Sequence, residues 1–163
     1  MNHARDYGAP RLRPERRATK HTELAAFMTP KSQVVWVSAS GSVEQALERL
    51  KPNGFAAVPI LDDDGGYVDT LSTSDLLWFL IDAGRAWRDV AQATVLLTVP
   101  RRHKGLLVHV DAGFSLLIQA VIARGFVSVV DDSGSFVGIV RRRPVIEYCV
   151  RLAEAAAGGR GAT

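Results

Sequence analysis

The run Val58-Pro-Ile-Leu-Asp-Asp-Asp-Gly-Gly-Tyr-Val-Asp69 aligns with Val127-Ser-Val-Val-Asp-Asp-Ser-Gly-Ser-Phe-Val-Gly138 at an offset of 69, with five of the twelve positions identical. A repeated stretch of this kind marks two copies of one supersecondary unit, neither of which can bury its apolar face alone. Upstream, Gly54-Phe55 matches Gly125-Phe126 at an offset of 71, so the second copy is two residues shorter at that corner. Each copy reads as strand, helix, Gly corner, strand, Asp/Gly turn, strand, helix. The expected class is mixed α/β (α+β), with two βαββα units related by a pseudo-twofold axis.

Periodicity supports that reading. Val43, Ala46, Leu47 and Leu50 form one apolar helical stripe, with Ser42 placed to cap it and Gly54 beyond its end. Ala57 to Leu61 and Val127 to Val130 are short β-branched runs closed by Asp-Asp and Gly, which predicts a strand entering a hairpin. Tyr67 to Leu71 and Phe136 to Val140 return as partner strands, and Val34 to Val37 and Leu106 to Val110 open the two units. The closing helices carry more apolar surface than one core uses. Leu76 to Ile81 is apolar all round, and Val145, Tyr148, Cys149 and Leu152 form one stripe while Ile146, Val150 and Ala153 form another. Such helices pack on a second subunit or are interior helices; in so small a protein a homodimer interface is the favoured expectation.

Charge is unevenly spread over the 163 residues. Residues 1–22 hold six Lys/Arg (Arg5, Arg11, Arg13, Arg16, Arg17, Lys20) against Asp6 and Glu15, net +4, and the other 141 hold 14 against 15, net −1. The basic balance belongs to an arm with Gly8, Pro10 and Pro14 and no apolar periodicity, expected to be disordered. The Ala/Gly-rich stretch 155–163 is expected to fray. Between them lie a first unit at 23–84, a linker at 85–105 and a second unit at 106–154. No apolar run approaches the roughly 18 residues of a membrane span, the first residues lack the apolar stretch of a secretory signal, and the single Cys149 leaves no internal disulfide. The expectation is a cytoplasmic protein.

Chemistry is concentrated where each returning strand enters a helix. In the first copy Ser72 and Asp75 stand three apart, which fits either a helix cap or a carboxylate accepting from the two hydroxyls of a ribose. In the second copy those positions are Arg141 and Pro144, within Arg141-Arg142-Arg143-Pro144. Positive charge at a helix N-terminus is unfavourable, so the cluster fits a bound anion, with solvated surface arginines as the plain alternative. His3, His21, His103 and His109 share no metal-ligand spacing, Asp62-Asp63-Asp64 reads as a polar turn, and no nucleophile elbow or Walker loop is present. No catalytic set, metal or cofactor is expected, and the protein is read as no enzyme.

Phe27-Met28-Thr29-Pro30, Gly54-Phe-Ala-Ala-Val-Pro-Ile-Leu-Asp62, Gly66-Tyr-Val-Asp69 and the Ser72-x-x-Asp75 step, in this order and with recurrence, resemble a tandem pair of CBS domains, the Bateman module. The likeness runs from about Phe27 to Glu154. Gly125-Phe-Val-Ser-Val129 and Gly138-Ile-Val-Arg-Arg-Arg143 are similar to small stand-alone bacterial CBS proteins, including some that bind cyclic di-AMP. The resemblance implies a regulatory protein with two clefts for an adenine nucleotide, cyclic di-AMP or AMP/ADP/ATP, that signals to a protein partner.

Carried onto this chain, one cleft uses Val34, Val35, Phe55, Ala56, Ala57 and Pro59 for the base and Arg142 and Arg143, beside Arg141, for phosphate. The other uses Val108, Phe126 and Val127 for the base, with Ser72 and Asp75 on the ribose. Asp69 stands where the family has Gly, Ser128 where it has Pro, and Arg141 and Pro144 where it has Ser/Thr and Asp; the last change favours a diester or polyphosphate held by charge. The rival readings are an interaction module with degenerate clefts and a nucleic-acid-binding accessory protein using the arm, Arg101-Arg102-His103-Lys104 and Arg141 to Arg143. The latter lacks an aromatic platform beside its basic clusters.

Overall fold

A computed structural model describes residues 11–12 and 21–158. Two sheets form the middle of the molecule. The first unit contributes β3 (Val37–Ser38), β4 (Ala57–Leu61) and β5 (Tyr67–Ser72), in the order β3-β4-β5. The second contributes β6 (Leu107–His109), β7 (Phe126–Val130) and β8 (Phe136–Arg141), extended at its two edges by β1 (Arg11–Leu12) and β2 (Met28–Pro30), in the order β1-β6-β7-β8-β2. The segment expected to precede the first unit's opening strand is therefore itself a strand, and it joins the other unit's sheet.

The predicted repeat is visible in the ladders. Ala57 pairs with Ser72 and Ile60 with Asp69, while Phe126 pairs with Arg141 and Val129 with Gly138, the same register displaced by 69. Both hairpins carry their irregularity at the equivalent place, between Ile60 and Leu61 and between Val129 and Val130. Both turns are stabilised alike: an Asp62 carboxylate oxygen accepts from the N–H groups of Asp64 and Gly66, and one of Asp131 from those of Ser133 and Ser135. Gly65 and Gly134 each take φ +82°, the left-handed region glycine enters without steric cost. The turns then meet. Tyr67 N–H donates to Gly134 O at 3.3 Å and Phe136 N–H to Gly65 O at 3.0 Å, a reciprocal exchange that places the pseudo-twofold axis between Gly66 and Ser135.

Helices cover the outer faces. In the first unit α2 (Val43–Leu50), α3 (Thr73–Ala83) and α4 (Trp87–Ala93) bury Val43, Ala46, Leu50, Leu76 and Ala91 against Val58, Ile60 and Leu71. The α2 cap is the one expected: Ser42 Oγ accepts from Gln45 N–H and the Gln45 side chain accepts from Ser42 N–H. In the second, α1 (His21–Phe27), α5 (Phe114–Ala123) and α6 (Arg142–Gly158) enclose Leu24, Leu117, Ala120, Val127, Val140 and Val145. A third cluster, Val34, Leu61, Tyr67, Leu107, Val130, Phe136 and Ile139, fills the seam between the units. The architecture is the expected mixed α/β pair.

Several boundaries differ from the sequence reading. The arm expected to be disordered contains β1, which pairs in parallel with β6 at Arg11–Leu107 and Leu12–Val108; residues 1–10 and 13–20 lie outside the described residues. The expected linker contains α4, which packs on α2 and α3. The tail expected to fray begins inside α6, which continues to Gly158; residues 159–163 lie outside the described residues. The opening strand of the first unit is only two residues long, so Val34 and Val35 precede it as irregular backbone.

Candidate functional site

The cavity beside the seam has a volume of about 560 Å³, within the range of about 300–1,000 Å³ usual for small-molecule sites. Its walls come in pairs related by the repeat. Ala56 is the counterpart of Gly125, Ala57 of Phe126, Thr70 of Ile139, Ser72 of Arg141 and Ser74 of Arg143, all at offset 69 and all lining the cavity. The opening strands correspond at offset 71, because Val37 pairs with Ile60 as Val108 pairs with Val129. On that offset Val34 and Val35 match Gly105 and Leu106, and these four line the cavity too. The two clefts expected from sequence are therefore one continuous cavity lying across the pseudo-twofold axis.

Its shape is twofold, but its charge is not. The first unit supplies hydroxyls from Thr70, Ser72 and Ser74. The second supplies Arg124, Arg141, Arg142 and Arg143, and the segment leading into β6 supplies His103 and Lys104, while among the described residues no Asp or Glu is in the lining. Arg141 closes β8 opposite Phe126, and Arg142 and Arg143 open α6, whose first turn has no acidic residue. Arg143 Nε donates to Glu147 at 2.7 Å, which pushes the guanidinium pKa up. Apolar surface comes from Val34, Val35, Phe55, Ala56, Ala57 and Pro59 on one side and Leu106, Phe126 and Ile139 on the other. At the seam, burial pushes the Tyr67 phenol up to about 12, so it remains protonated and shares a 3.0 Å hydrogen bond with Thr70.

Most of the residues proposed from sequence meet here: Val34, Val35, Phe55, Ala56, Ala57, Pro59, Ser72, Phe126, Arg141, Arg142 and Arg143. Three do not. Val108 is fully buried in the middle of β6, flanked by β1 and β7. It is the counterpart of Val37, not of Val34 or Val35, and the offset of 71 points to Gly105 and Leu106 instead. Val127 points into the core beneath α5 and α6. Asp75 is 4% exposed and outside the lining. One of its oxygens accepts from Ser72 N–H at 3.1 Å and Ser72 Oγ at 2.6 Å, and the other from Arg102 N–H at 3.1 Å. With Asp75 N–H donating to Ser72 Oγ, the Ser72-x-x-Asp75 step is a capping box, the first of its two sequence readings.

Sequence reasoning missed His103 and Lys104 as cavity residues, and with them Val58, Thr70, Ser74, Gly105, Leu106, Arg124, Gly125 and Ile139. The first two were grouped with Arg101 and Arg102 as one basic patch, and the structure divides it. Arg101 Nε is held by Asp69 at 2.8 Å, and the Arg102 guanidinium lies 4.7 Å from the centre of the Trp78 ring, leaving His103 and Lys104 at the cavity. Among the described residues no group of three or more His, Cys, Asp or Glu could hold a metal, and no helix is long and apolar enough to cross a membrane.

Residues 24–82 match the CBS domain family. The first repeat is a CBS domain. Cyclic di-AMP receptor B of Bacillus subtilis (strain 168) is 29% identical over 129 residues, covering 76% of this chain and 84% of that relative. The Listeria monocytogenes CbpB protein in complex with c-di-AMP superposes with a TM-score of 0.67 at 22% identity, covering 82% of this chain and 99% of that one. CBSX2 in complex with AMP gives 0.63 at 23% identity, covering 80% and 97%. The chain has the fold of a tandem CBS pair.

Proposed function

We propose that this CBS pair is a non-enzymatic sensor that binds one cyclic di-AMP in the cavity across its pseudo-twofold axis and transmits occupancy to a protein partner. The observation that carries the reading is the pairing of cavity walls by the repeat: a ligand made of two like halves meets two like halves of protein. One adenine lies against Val34, Val35, Phe55, Ala56, Ala57 and Pro59, the other against Leu106 and Phe126. The diester phosphates face Arg141, Arg142 and Arg143, where guanidinium forks and the N-terminal dipole of α6 act on the same anion. The engagement of Asp75 with Ser72 and Arg102 disfavours a mononucleotide gripped by its ribose. The binding of cyclic di-AMP by relatives of this fold supports the same choice.

The exposed faces of the closing helices form the dimer interface in this reading. Leu77 and Ile81 of α3 and Ile146 and Val150 of α6 stand at offset 69 from each other and are each about half exposed, at 54%, 54%, 47% and 51%. A pair of apolar helix faces related by the pseudo-twofold suits a second copy of the chain.

Isothermal titration tests the nucleotide. One cyclic di-AMP per chain is expected, with AMP and ATP binding more weakly. An absence of heat from all three up to about millimolar concentration overturns the reading, and AMP binding tighter than cyclic di-AMP replaces the ligand.

A further inference from the structure

We propose that Asp69 and Asp75 are positioning residues that strap the segment 101–105 to the first unit and so hold His103 and Lys104 in the cavity wall. The proposal rests on the reading of that cavity as an anion site.

Asp69 is 9% exposed on β5, and both its oxygens are used on the strap: Oδ2 accepts from Arg101 Nε at 2.8 Å and Oδ1 from Gly105 N–H at 2.8 Å. Asp75 adds the bond from Arg102 N–H, and Arg102 then lies over Trp78. Attachments at Arg101, Arg102 and Gly105 therefore bracket His103 and Lys104. Gly105 seals the strap, since a Cβ there collides with Tyr67 Oη and the Thr70 side chain. The pseudo-twofold mate of Asp69 is Gly138, where a Cβ collides with Thr29 O of β2. In one unit the backbone strand β2 pairs along β8; in the other the Asp69 carboxylate of β5 holds the segment 101–105, which carries charge to the cavity. A buried carboxylate is costly unless it is paired or hydrogen-bonded: Asp69 has the Arg101 ion pair, and Asp75 is held by hydrogen bonds from Ser72 and Arg102 N–H. Neither lines the cavity, so both act through the strap.

Four proteins test this by titration with cyclic di-AMP: wild type, Asp69→Asn, Lys104→Ala and the double variant. Asn places an N–H₂ donor against Arg101 or Gly105 and breaks the pairing. Loss of one charge-assisted bond predicts about tenfold weaker binding for each single variant. If Asp69 acts through Lys104, the double variant binds no more weakly than Lys104→Ala; a general loss of structure would instead multiply the two effects. Hydrogen exchange of the ligand-free chain is read in parallel, and the amides of Arg102 and Gly105 should exchange at least about tenfold faster in Asp69→Asn. Should Asp69→Asn fail to fold, Arg101→Ala breaks the same ion pair from the strap. Unchanged affinity in the single variant, or multiplicative loss in the double, overturns the proposal. If wild type binds no cyclic di-AMP, the nucleotide reading fails separately; the same four proteins are then titrated with inorganic pyrophosphate, and no binding there overturns the strap as well.

Discussion

Replacing Arg141 and Arg142 together by Ala should move affinity and stability in opposite directions. Both side chains are exposed at the mouth of the cavity, one ending β8 and the other beginning α6, and neither belongs to a core cluster. A hydrogen bond to a charged group contributes about 1.5–3 kcal/mol net, and exposure places these two at the lower end. Their combined loss is then about 3 kcal/mol, or roughly a hundredfold in the dissociation constant for cyclic di-AMP. In the ligand-free protein the same charges oppose the N-terminal dipole of α6, so their removal should leave stability unchanged or raise it by about 0.3–1 kcal/mol for each. Titration calorimetry reads the first effect, and urea unfolding without ligand reads the second. Unchanged affinity would take phosphate recognition away from these arginines. A ligand-free loss above about 1 kcal/mol would show that they serve the fold.

Three further outcomes follow from the same geometry. Gly138→Ala should cost about 1–3 kcal/mol and lower Tm by several degrees, because the new Cβ meets the β2 backbone at Thr29 O; Gly158→Ala, with open space around it, should stay within about 0.5 kcal/mol. The Ser133 hydroxyl, bonded at 2.6 Å, holds the Asp131 carboxyl below its ordinary range against an opposing effect of burial. Its stabilising contribution is therefore complete above the unfolded pKa and lost as pH falls through the folded one, so Asp131→Asn should flatten the acid limb of a stability-against-pH curve. Leu77→Glu with Ile146→Glu should convert a dimer into a monomer in sedimentation velocity, and a wild-type chain that sediments as a monomer refutes the assigned interface.

The repeat made the hairpins, α2 with its cap and the seam legible from sequence, because each rests on contacts local in the chain or duplicated at one offset. The error at Val108 shows the limit of that reasoning. Val108 lies inside β6 as its counterpart Val37 lies inside β3, and both are core, whereas the cavity is lined by the residues that lead into these strands, Val34 and Val35 in one unit and Gly105 and Leu106 in the other. Asp75 was legible as a cap but not as a strap anchor, since its partner Arg102 N–H lies 27 residues away and a backbone amide leaves no mark in sequence. The Asp69–Arg101 pair was hidden because its two side chains lie 32 residues apart, and Arg101 read as part of a surface patch although it is mostly buried in the fold. A strand as short as Arg11–Leu12 carries too little pattern to be recognised.

Electron density for the chain crystallised with cyclic di-AMP bears most directly on the central claim. The account predicts one ligand per chain on the pseudo-twofold axis, one base against Phe55, the other against Phe126, and phosphates within hydrogen-bond distance of Arg141 to Arg143. A ligand confined to one half of the cavity, or phosphates directed away from those guanidinium groups, would contradict it.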